Sequence, residues 1–416
     1  MRILLISLGT RGDCEPFLGI GEILRAKGVE VICAFPEQYR KLAEDSGFPF
    51  YSLGSEFIAL MDTEVGRIAL GGDVKGFRKV KATMVLGKKS MPLQSLLVER
   101  QKEIFEVCKP GQVIFHPKVI YAIPWSLENH KPAITLATVP FILHKLSAED
   151  AKQYGKLFNP LVCELTNFAT AMSIKKITQK YMKTSYNIST IKKAQRQGKV
   201  IYTFSQALFK KPSYWGENTM IAGFQERNKH THFQPSEVLS NFLEGHKKIL
   251  FITFGSMTNS HPIEKTKEIL RIVSKHQIPT IINCSGGGLC EVEGYDKDKV
   301  LFLESVPYDW LLHRMYATIH HGGAGTLHSS LKAGCATMAI PHAVDQPMWN
   351  EIIEKHQYGP KGIPIADFCK GELESKIIDL YTNPIYKQHA MKVSAFIKNE
   401  NNNEQLYGFI VDPLSP

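Results

Sequence analysis

Short hydrophobic runs alternate with segments of helical periodicity along most of the chain, and this alternation predicts parallel β-sheets covered by helices. In the first half, the runs that predict strands are Ile3–Ser7, Val29–Phe35, Val113–Phe115, Ala133–Ala137 and Val200–Phe204. Between the first two runs, apolar residues spaced three and four apart over Phe17–Lys27 predict a helix that ends at Gly28. The chain therefore begins with a predicted strand–helix–strand unit.

The pattern fades over residues 210–234 and then resumes, which predicts a connection between two domains. In the second half, the runs that predict strands are Ile249–Thr253, Thr280–Asn283, Val300–Leu303, Ala317–Ile319 and Thr337–Ile340. A polar helix is predicted over Lys387–Asn403, followed by a loosely specified tail. The predicted domains are 1–209 and 235–395, joined by a linker at 210–234 and followed by a helix end and tail at 396–416.

The composition is typical of a globular protein with two domains. Its 416 residues exceed what one ordinary core holds, and 44% of them are hydrophobic and 22% charged. Every hydrophobic run is far shorter than the roughly 18 residues that span a bilayer, and the run at residues 3–6 is too short for a signal peptide. The eight cysteines lack zinc-ligand spacing and are expected to be reduced and mostly buried. We therefore expect a cytoplasmic protein.

The net charge of +10 is unevenly distributed. Residues 171–200 contain eight basic side chains and residues 75–89 contain six, and neither stretch contains an acid. Such stretches attract anionic membrane lipids, nucleic acids or acidic substrates, although each is also compatible with an ordinary solvated helix face. No nucleic-acid-binding motif accompanies the charge, so we expect no nucleic acid partner.

The segment from His320 to Thr326, His-His-Gly-Gly-Ala-Gly-Thr, lies between a predicted strand and a predicted helix. A glycine turn at the start of a helix leaves backbone N–H groups directed at an anion, and the helix dipole favours negative charge there. His321 and Thr326 add side chains that can donate to phosphate oxygens. Further along the chain, Asp345 and Gln346 supply a carboxylate and an amide suited to sugar hydroxyls. The combination predicts a site for a nucleotide sugar.

Gly9 to Pro16 follow the first predicted strand, at the end where open α/β sheets bind ligands. Asp13 just before the helix is compatible with a helix cap and with a carboxylate that takes part in chemistry. The other candidates also have structural interpretations: His321 as a buried histidine, Ser256 as a helix cap, and Asp345 with Gln346 as a turn. Their residue types alone leave these alternatives open.

The order of several motifs along the chain supports the ligand-binding interpretation. These motifs are Gly9-Thr10-Arg11-Gly12-Asp13-x-Glu15-Pro16-Phe17, Phe254-Gly255-Ser256-Met257, Val306-Pro307-Tyr308-Asp309-Trp310-Leu311, His320–Thr326, Ala333-Gly334, Pro341, Asp345-Gln346-Pro347-Met348-Trp349 and Tyr358-Gly359-Pro360. With them the chain resembles the family 1 UDP-glycosyltransferases, especially sterol 3-beta-glucosyltransferases and bacterial enzymes that glycosylate glycopeptides and other secondary metabolites. The resemblance implies the α/β GT-B fold: two facing Rossmann-like domains, a cleft between them, and a C-terminal helix that crosses back.

The resemblance also implies roles for individual residues. Asp13 occupies the position of the general base. The implied donor-binding residues are Thr10, Ser256, the main chain around Val306, His321, Gly323, Ala324, Gly325, Thr326, Asp345 and Gln346. The chain departs from relatives at Ser329, where plant members have a ribose-binding glutamate. It departs again at Ser285-Gly286-Gly287-Gly288, where sterol-type relatives often have Ser-Gly-Trp-Gly-Gly, and both differences bear on whether the nucleotide is UDP or dTDP.

The implied activity is inverting, metal-independent transfer of a hexose, expected to be glucose, from a UDP-sugar to a lipophilic small molecule such as a sterol, flavonoid or other phenol. No cofactor or metal is expected, because the UDP-sugar is itself a co-substrate. Phe141, Met61 and Met84 are the expected acceptor-binding residues, and the basic stretches suggest peripheral contact with an anionic membrane. The alternatives are a UDP-sugar epimerase of the same architecture and a non-catalytic nucleotide-sugar-binding protein.

Overall fold

The computed structural model of the protein describes residues 1–70, 74, 76–139, 143–147, 149–151, 160–227, 233–259, 261–342, 345–400 and 402–412. It divides into two compact units. The first unit consists of residues 1–61, 87–227 and 400–416, and the second of residues 62–86 and 228–399. No helix within the described ranges is both long and apolar enough to cross a membrane.

The first unit contains a parallel sheet, whose strands among the described residues are β1 (Arg2–Ile6), β2 (Glu30–Phe35), β3 (Phe50–Ser52), β4 (Gln112–Phe115), β5 (Ala133–Ala137), β6 (Val200–Tyr202) and β7 (Thr219–Ile221). The spatial order is β3-β2-β1-β4-β5-β6-β7. The chain order reverses between β1 and β4, where Ile6 lies opposite Phe115. This reversal is a topological switch point, the place where open α/β sheets bind ligands beyond the strand ends.

Helices cover this sheet because its strands are apolar on both faces. The helices are Arg11–Ala26, Arg40–Glu44, Glu56–Met61, Phe77–Cys108, Ala122–Asn129, Pro160–Tyr181, Ile188–Gln197 and Asn403–Val411, with a 3₁₀ turn at Glu37–Tyr39. The helix Phe77–Cys108 begins in the second unit and ends in the first. Phe17 and Leu18 of the first helix are fully buried in the core against the sheet.

The second unit repeats the architecture with β8 (Leu250–Thr253), β9 (Thr280–Asn283), β10 (Val300–Leu303), β11 (Ala317–His320) and β12 (Ala336–Ala339), in the parallel order β10-β9-β8-β11-β12. Its helices are Glu64–Leu70, Glu237–Gly245, Pro262–Lys275, Tyr308–Leu311, Ala324–Lys332, Gln346–Lys355, Leu373–Thr382 and Pro384–Asn399, with 3₁₀ turns at Leu312–Arg314 and Ile365–Asp367. The order reverses between β8 and β11, where Thr253 lies opposite His320. This sheet therefore has a switch point of its own.

The end of the chain returns to the first unit as an ordered helix. In Asn403–Val411, Leu406 and Ile410 are buried in the core of the first unit. The ammonium of Lys199 donates to the carbonyl oxygen of Phe409 over 2.6 Å and also to that of Asp412. The expectation of a loosely specified tail is therefore wrong for this segment, because its apolar residues complete a core.

The strands predicted at Ala133–Ala137, Thr280–Asn283 and Val300–Leu303 have the predicted bounds. Two short strands were not predicted, Phe50–Ser52 and Thr219–Ile221, and the second lies within the residues expected to form the linker. The predicted helix Lys387–Asn403 corresponds to Pro384–Asn399, after which a separate helix starts.

Candidate functional site

Asp13 lies at the switch point of the first sheet, in the first turn of the helix Arg11–Ala26. One carboxylate oxygen, Oδ2, accepts a hydrogen bond of 2.8 Å from the backbone N–H of Thr10 and lies 3.3 Å from its hydroxyl oxygen. The hydroxyl of Ser7 donates to the carbonyl oxygen of Asp13 over 2.7 Å. Asp13 is therefore a helix-capping residue, as one interpretation of the sequence suggested, and these contacts also fix the position of its carboxylate.

Two side chains that follow β4 complete this group. The Nε2 atom of His116 lies 3.4 Å from Oδ1 of Asp13, and the ammonium of Lys118 lies 3.5 Å from Oδ2. The backbone N–H of Lys118 donates to Nδ1 of His116 over 3.2 Å. A neutral imidazole that accepts at Nδ1 carries its proton on Nε2, so His116 presents an N–H to the carboxylate.

The charge of Lys118 and the N–H of His116 together outweigh the effect of burial on the pKa of Asp13. Burial alone would raise the pKa of this carboxyl, but Lys118 and His116 together lower it well below its ordinary value. The pKa of His116 is also lowered, because burial of the ring exceeds the opposing effect of the Asp13 charge. The carboxyl of Asp13 is therefore ionised at neutral pH.

The second candidate site lies at the switch point of the second sheet, around the ring of His321. Gly255, with φ +57°, follows β8, and Gly322, with φ +88°, follows β11, so both turns use backbone angles that favour glycine. A Cβ atom on Gly255 would lie 2.9 Å from Cε1 of His321, and one on Gly323 would lie 2.3 Å from its Nε2. The imidazole is thus held between two glycines where larger residues have no room.

The loop that follows β9 packs against the loop that follows β8. A Cβ atom on Gly286 would lie only 1.9 Å from the carbonyl oxygen of Gly255, and one on Gly288 would lie 2.5 Å from that of Met257. The glycines at the position where sterol-type relatives often have a tryptophan-containing loop therefore allow two backbones to meet. Because β9, β8 and β11 are neighbours, their three following loops converge at one edge of the sheet.

The two adjacent histidines differ in their surroundings. His320 accepts at Nδ1 from the N–H of Gly322 over 2.9 Å, and its Nε2 lies 2.8 Å from the hydroxyl of Thr337. Burial lowers the pKa of His320 to about 3 and, with the neighbouring histidines, lowers that of His321 well below its ordinary value. The Nδ1 atom of His321 is buried and has no hydrogen-bonding partner among the described residues. His320 therefore shapes the turn, and His321 retains unused hydrogen-bonding capacity.

The helix Ala324–Lys332 begins directly after this turn, with Gly323 as its N-cap. Its first backbone bond within the helix runs from the N–H of Leu327 to the carbonyl oxygen of Gly323. The preceding N–H groups, those of Ala324, Gly325 and Thr326, have no partner inside the helix, as at any helix start. Gly325 is exposed, and a Cβ atom there would meet nothing within 4 Å. This arrangement suits an anion at the N-terminus.

Asp345 and Gln346 begin the helix that follows β12, and both already contact protein atoms. Oδ2 of Asp345 accepts from Nε1 of the fully buried Trp349 over 2.7 Å. Oε1 of Gln346 accepts from the N–H of His342 over 2.7 Å, and its Nε2 lies 3.8 Å from Sδ of Met257. These contacts fix both side chains beside the converging loops.

The remaining predicted donor-binding residues lie in different environments. Ser256 is exposed in the loop after β8, whereas the side chain of Val306 is buried in a core cluster. Thr10 belongs to the first unit, as Asp13 does. The structure thus brings His321, Gly323 and their helix together with the Gly255 loop, and it places Thr10 with the candidate base.

Of the residues predicted to bind an acceptor, the structure describes Met61 and Met84, each within its own unit. Met61 ends the helix Glu56–Met61 and is partly buried in the first unit. Met84 is 65% exposed, on a part of the helix Phe77–Cys108 that belongs to the second unit. Phe141 lies outside the described residues.

Sequence reasoning missed His116 and Lys118. The signal available was their position directly after the strand predicted at Val113–Phe115, since the carboxyl ends of neighbouring parallel strands meet at one edge. No group of three or more His, Cys, Asp or Glu side chains that could hold a metal ion occurs in the part of the chain that was searched, namely the described residues.

Comparison with known proteins links both units to glycosyltransferases. The chain is 27% identical over 421 residues to the sterol 3-beta-glucosyltransferase UGT80A2 of Arabidopsis thaliana, a match that covers 96% of this chain and 64% of that protein. It is 23% identical to the O-mycaminosyltylonolide 6-deoxyallosyltransferase of Streptomyces fradiae, over 97% of this chain and 95% of that one. The chain thus spans slightly less than two thirds of the length of the plant relative.

Solved structures share the fold over nearly the whole chain. The calicheamicin glycosyltransferase CalG4 matches with a TM-score of 0.70 at 15% identity, over 99% of both chains. The spinosyn rhamnosyltransferase SpnG complexed with thymidine diphosphate matches with a TM-score of 0.62 at 14% identity, over 98% of this chain and 100% of that chain. These similarities confirm the expected class, two Rossmann-like α/β units of the GT-B type.

Two family descriptions together match most of the sequence. Residues 3–112 match the glycosyltransferase family 28 N-terminal domain. Residues 133–403, well over half of the chain, match the family described as UDP-glucoronosyl and UDP-glucosyl transferase. The protein therefore belongs to the UDP-glucoronosyl and UDP-glucosyl transferase family.

Proposed function

We propose that this protein transfers a hexose, glucose in the simplest case, from a UDP-sugar to a hydroxyl group of a lipophilic small molecule. The observation that carries the proposal is the ring of His321, held between two glycine turns at the switch point of the second sheet, beside the start of the helix Ala324–Lys332. Asp13, at the switch point of the first sheet, supplies the base that such a transfer requires.

The donor diphosphate binds at the start of the helix Ala324–Lys332. The N–H groups of Gly325 and Thr326 and the positive end of the helix dipole favour its negative charge. His321 is neutral, because its pKa is lowered by burial, and its buried Nδ1 lacks a partner among the described residues. A phosphate oxygen would satisfy that atom if Nδ1 carries the proton. The glycines at 255 and 323 leave room for the imidazole of His321, whereas Gly325 has open space beside its backbone that a ligand can approach.

The chemical step is a direct displacement. The acceptor oxygen forms a bond to the anomeric carbon while the bond from that carbon to the β-phosphate oxygen breaks, and the electron pair leaves with UDP. Attack opposite the leaving group inverts the anomeric centre. The proton of the acceptor hydroxyl passes to the carboxylate of Asp13, which is ionised because Lys118 and His116 lower its pKa. A weak base is adequate here, because the hydroxyl becomes acidic as its oxygen bonds to carbon.

Donor specificity rests on residues of the second unit. Asp345 and Gln346 are assigned to the sugar hydroxyls, since Trp349 and His342 hold their side chains in place. The main chain around Val306 and the exposed Ser256 are assigned to the nucleotide. Family membership supports UDP, whereas the solved structure of SpnG contains thymidine diphosphate, so competition between the two nucleotides is a direct test.

The proposed acceptor is a sterol or another lipophilic alcohol or phenol. Support comes from relatives described as sterol 3-beta-glucosyltransferases and from a relative that modifies a tylonolide. We also place the protein in the cytoplasm with peripheral contact to anionic membrane. The reducing environment is supported by the eight cysteines, all within the described residues, which form no disulfide bond.

The test is to incubate the protein with UDP-glucose and a mixed panel of sterols, flavonoids and other phenols, and to search for products heavier by one hexose. We expect such a product, with inverted configuration, in the presence of a chelator as well as in its absence. Epimerised sugar nucleotide without any acceptor would instead identify an epimerase. Tight binding of UDP-glucose with neither transfer nor hydrolysis would identify a non-catalytic binding protein.

A further inference from the structure

Apolar side chains form an exposed row on the helix Phe77–Cys108. Phe77 is 83% exposed, Val80 51%, Met84 65% and Met91 69%. Single exposed apolar residues are common on proteins and need no explanation. These four are spaced at i, i+3, i+7 and i+14, so at 3.6 residues per turn they lie within an arc of about 60° and extend along roughly 21 Å of helix. We call this row the apolar face.

The apolar face is not the side by which the helix packs on the protein. Ala82 and Leu86 are buried and lie on the opposite side of the helix, about 180° away. The row ends before Val98, which continues the same line but is buried. In the described part of the chain, this segment therefore buries one side and exposes a second apolar side.

Two lysines border the apolar face, in a segment rich in basic residues. Arg78, Lys79, Lys81, Lys88 and Lys89 lie within the same segment, and residues 77–96 contain no acid. Lys81 and Lys88 adjoin the face, at about 20–40° from Phe77 around the helix. One ion pair joins Arg78 to Glu64 over 3.6 Å, and both side chains are largely exposed. A pair so exposed contributes little and does not neutralise the segment.

From this arrangement we infer that the apolar face binds the surface of an anionic lipid bilayer. Apolar side chains on one arc with flanking lysines are the pattern of helices that lie in the membrane interface. Lysine stems extend past the apolar boundary and keep their ammonium groups at the lipid phosphates. A second copy of the chain is disfavoured as the occupant, since pairing two such faces would bring like charges together.

The other basic stretch, at residues 171–200, lacks this arrangement. Lys199 is buried and bonds the carbonyl oxygens of the last helix, and Lys180 contacts Tyr181 and Glu99. Lys192 lies over the ring of Phe168 at 5.0 Å. Several of its charges therefore serve contacts within the protein, and the interface is assigned to the apolar face alone.

The test is sedimentation of the full chain with vesicles of phosphatidylcholine containing about one third phosphatidylserine, at low salt. We expect the protein to pellet with these vesicles, to remain in solution with pure phosphatidylcholine, and to be released as salt shortens the electrostatic range. The double variant Phe77→Ser, Met84→Ser should bind the anionic vesicles at least about tenfold more weakly than the wild type. Lys81→Gln, Lys88→Gln should weaken binding by a similar factor.

A matched control is Val238→Ser, Ile263→Ser, which removes two exposed apolar side chains elsewhere in the second unit. It should bind vesicles like the wild type, and all variants should keep the wild-type unfolding midpoint. Wild-type protein that stays in solution with anionic vesicles, or variants that bind as it does, would overturn the inference. So would a vesicle-free dimer that Phe77→Ser, Met84→Ser converts to monomers. The inference rests on the membrane contact proposed above, but neither donor nor acceptor is used, so a negative result would leave the proposed sugar transfer intact.

Discussion

The imidazole of His116 lies with Nε2 3.4 Å from Oδ1 of Asp13, although 103 positions separate the two residues in the sequence. They meet because β1 and β4 are neighbours in register, and each residue follows the end of its strand. The histidine adds an N–H on one side of the carboxylate, and Lys118 adds a positive charge on the other. Asp13 is thus an ionised carboxylate held between residues that follow β1 and residues that follow β4 in the first unit.

Removal of the Asp13 carboxylate should abolish transfer. Asn at this position can still accept the hydrogen bond of Thr10 but cannot accept a proton, so Asp13→Asn should lower kcat by about 10²–10⁴-fold. Titration of UDP binding should give a Kd close to that of the wild type, because the proposed diphosphate site is on the other unit. Asp45→Asn, which changes an exposed carboxylate of the same unit, is the control and should retain full activity. Near-wild-type turnover by Asp13→Asn would exclude Asp13 as the base.

Replacement of Lys118 should change the pH dependence of the reaction. A base acts only when ionised, so activity is lost as the pH falls through the pKa of Asp13. The wild type should keep its rate at acid pH, because Lys118 and His116 hold this pKa below its ordinary value. Lys118→Gln removes the ammonium, raises the pKa of Asp13 and should move the acidic limb of kcat/KM to higher pH.

The measurement for Lys118→Gln is a pH–rate profile of kcat/KM beside that of Lys41→Gln, a change at an exposed lysine of the same unit. At neutral pH the loss should be far smaller than the ~10²–10⁴-fold expected when the base itself is removed. An acidic limb that stays at the wild-type position would show that Lys118 does not tune the base.

A substitution at Gly325 should weaken donor binding without lowering the stability of the fold. A Cβ atom there meets nothing within 4 Å, so Gly325→Ala should leave the fold intact or stabilise its helix by about 0.5–1 kcal/mol. The added methyl group would nevertheless stand where the diphosphate approaches the helix start, so the Kd for UDP should rise roughly tenfold. Calorimetry of UDP binding and an unfolding curve measure the two effects. Gly245→Ala, with equally open space, should leave UDP binding unchanged, and unaltered UDP affinity in Gly325→Ala would argue against this anion site.

The last helix should contribute strongly to the stability of the first unit. Leu406 is fully buried, and its truncation to alanine should cost about 2–5 kcal/mol of unfolding free energy. Denaturant unfolding, followed by a probe in the first unit, measures this loss. Val238→Ala, at an exposed position, should change stability by less than about 0.5 kcal/mol. An equally small effect for Leu406→Ala would mean that the helix is dispensable.

Much of the fold could be predicted from the sequence, because buried parallel strands are continuous apolar runs. Ala133–Ala137 and Thr280–Asn283 were predicted with their observed bounds for this reason. Phe50–Ser52 and Thr219–Ile221 are three residues long, and their identity as strands depends on pairing with distant neighbours. The local pattern of apolar residues does not show which distant strands will pair.

The candidate site was predictable to a similar extent. The glycine turn after β11 is a local feature, so its residues could be identified together with Asp13. The partnership of Asp13 with His116 and Lys118 depends on the register of two strands, which the sequence does not display. His320 and His321 are adjacent and chemically identical, but His320 bonds the N–H of Gly322 and the hydroxyl of Thr337, whereas Nδ1 of His321 has no partner among the described residues.

The return of the chain to the first unit also determines how the protein can be divided. A single cut after Arg227 would leave the first fragment without the helix Asn403–Val411, whose side chains fill its core. The missing helix would remain covalently attached to the other fragment. The first fragment therefore lacks part of its own core, and complementation between the two fragments, rather than expression of the first one alone, is the way to recover that core.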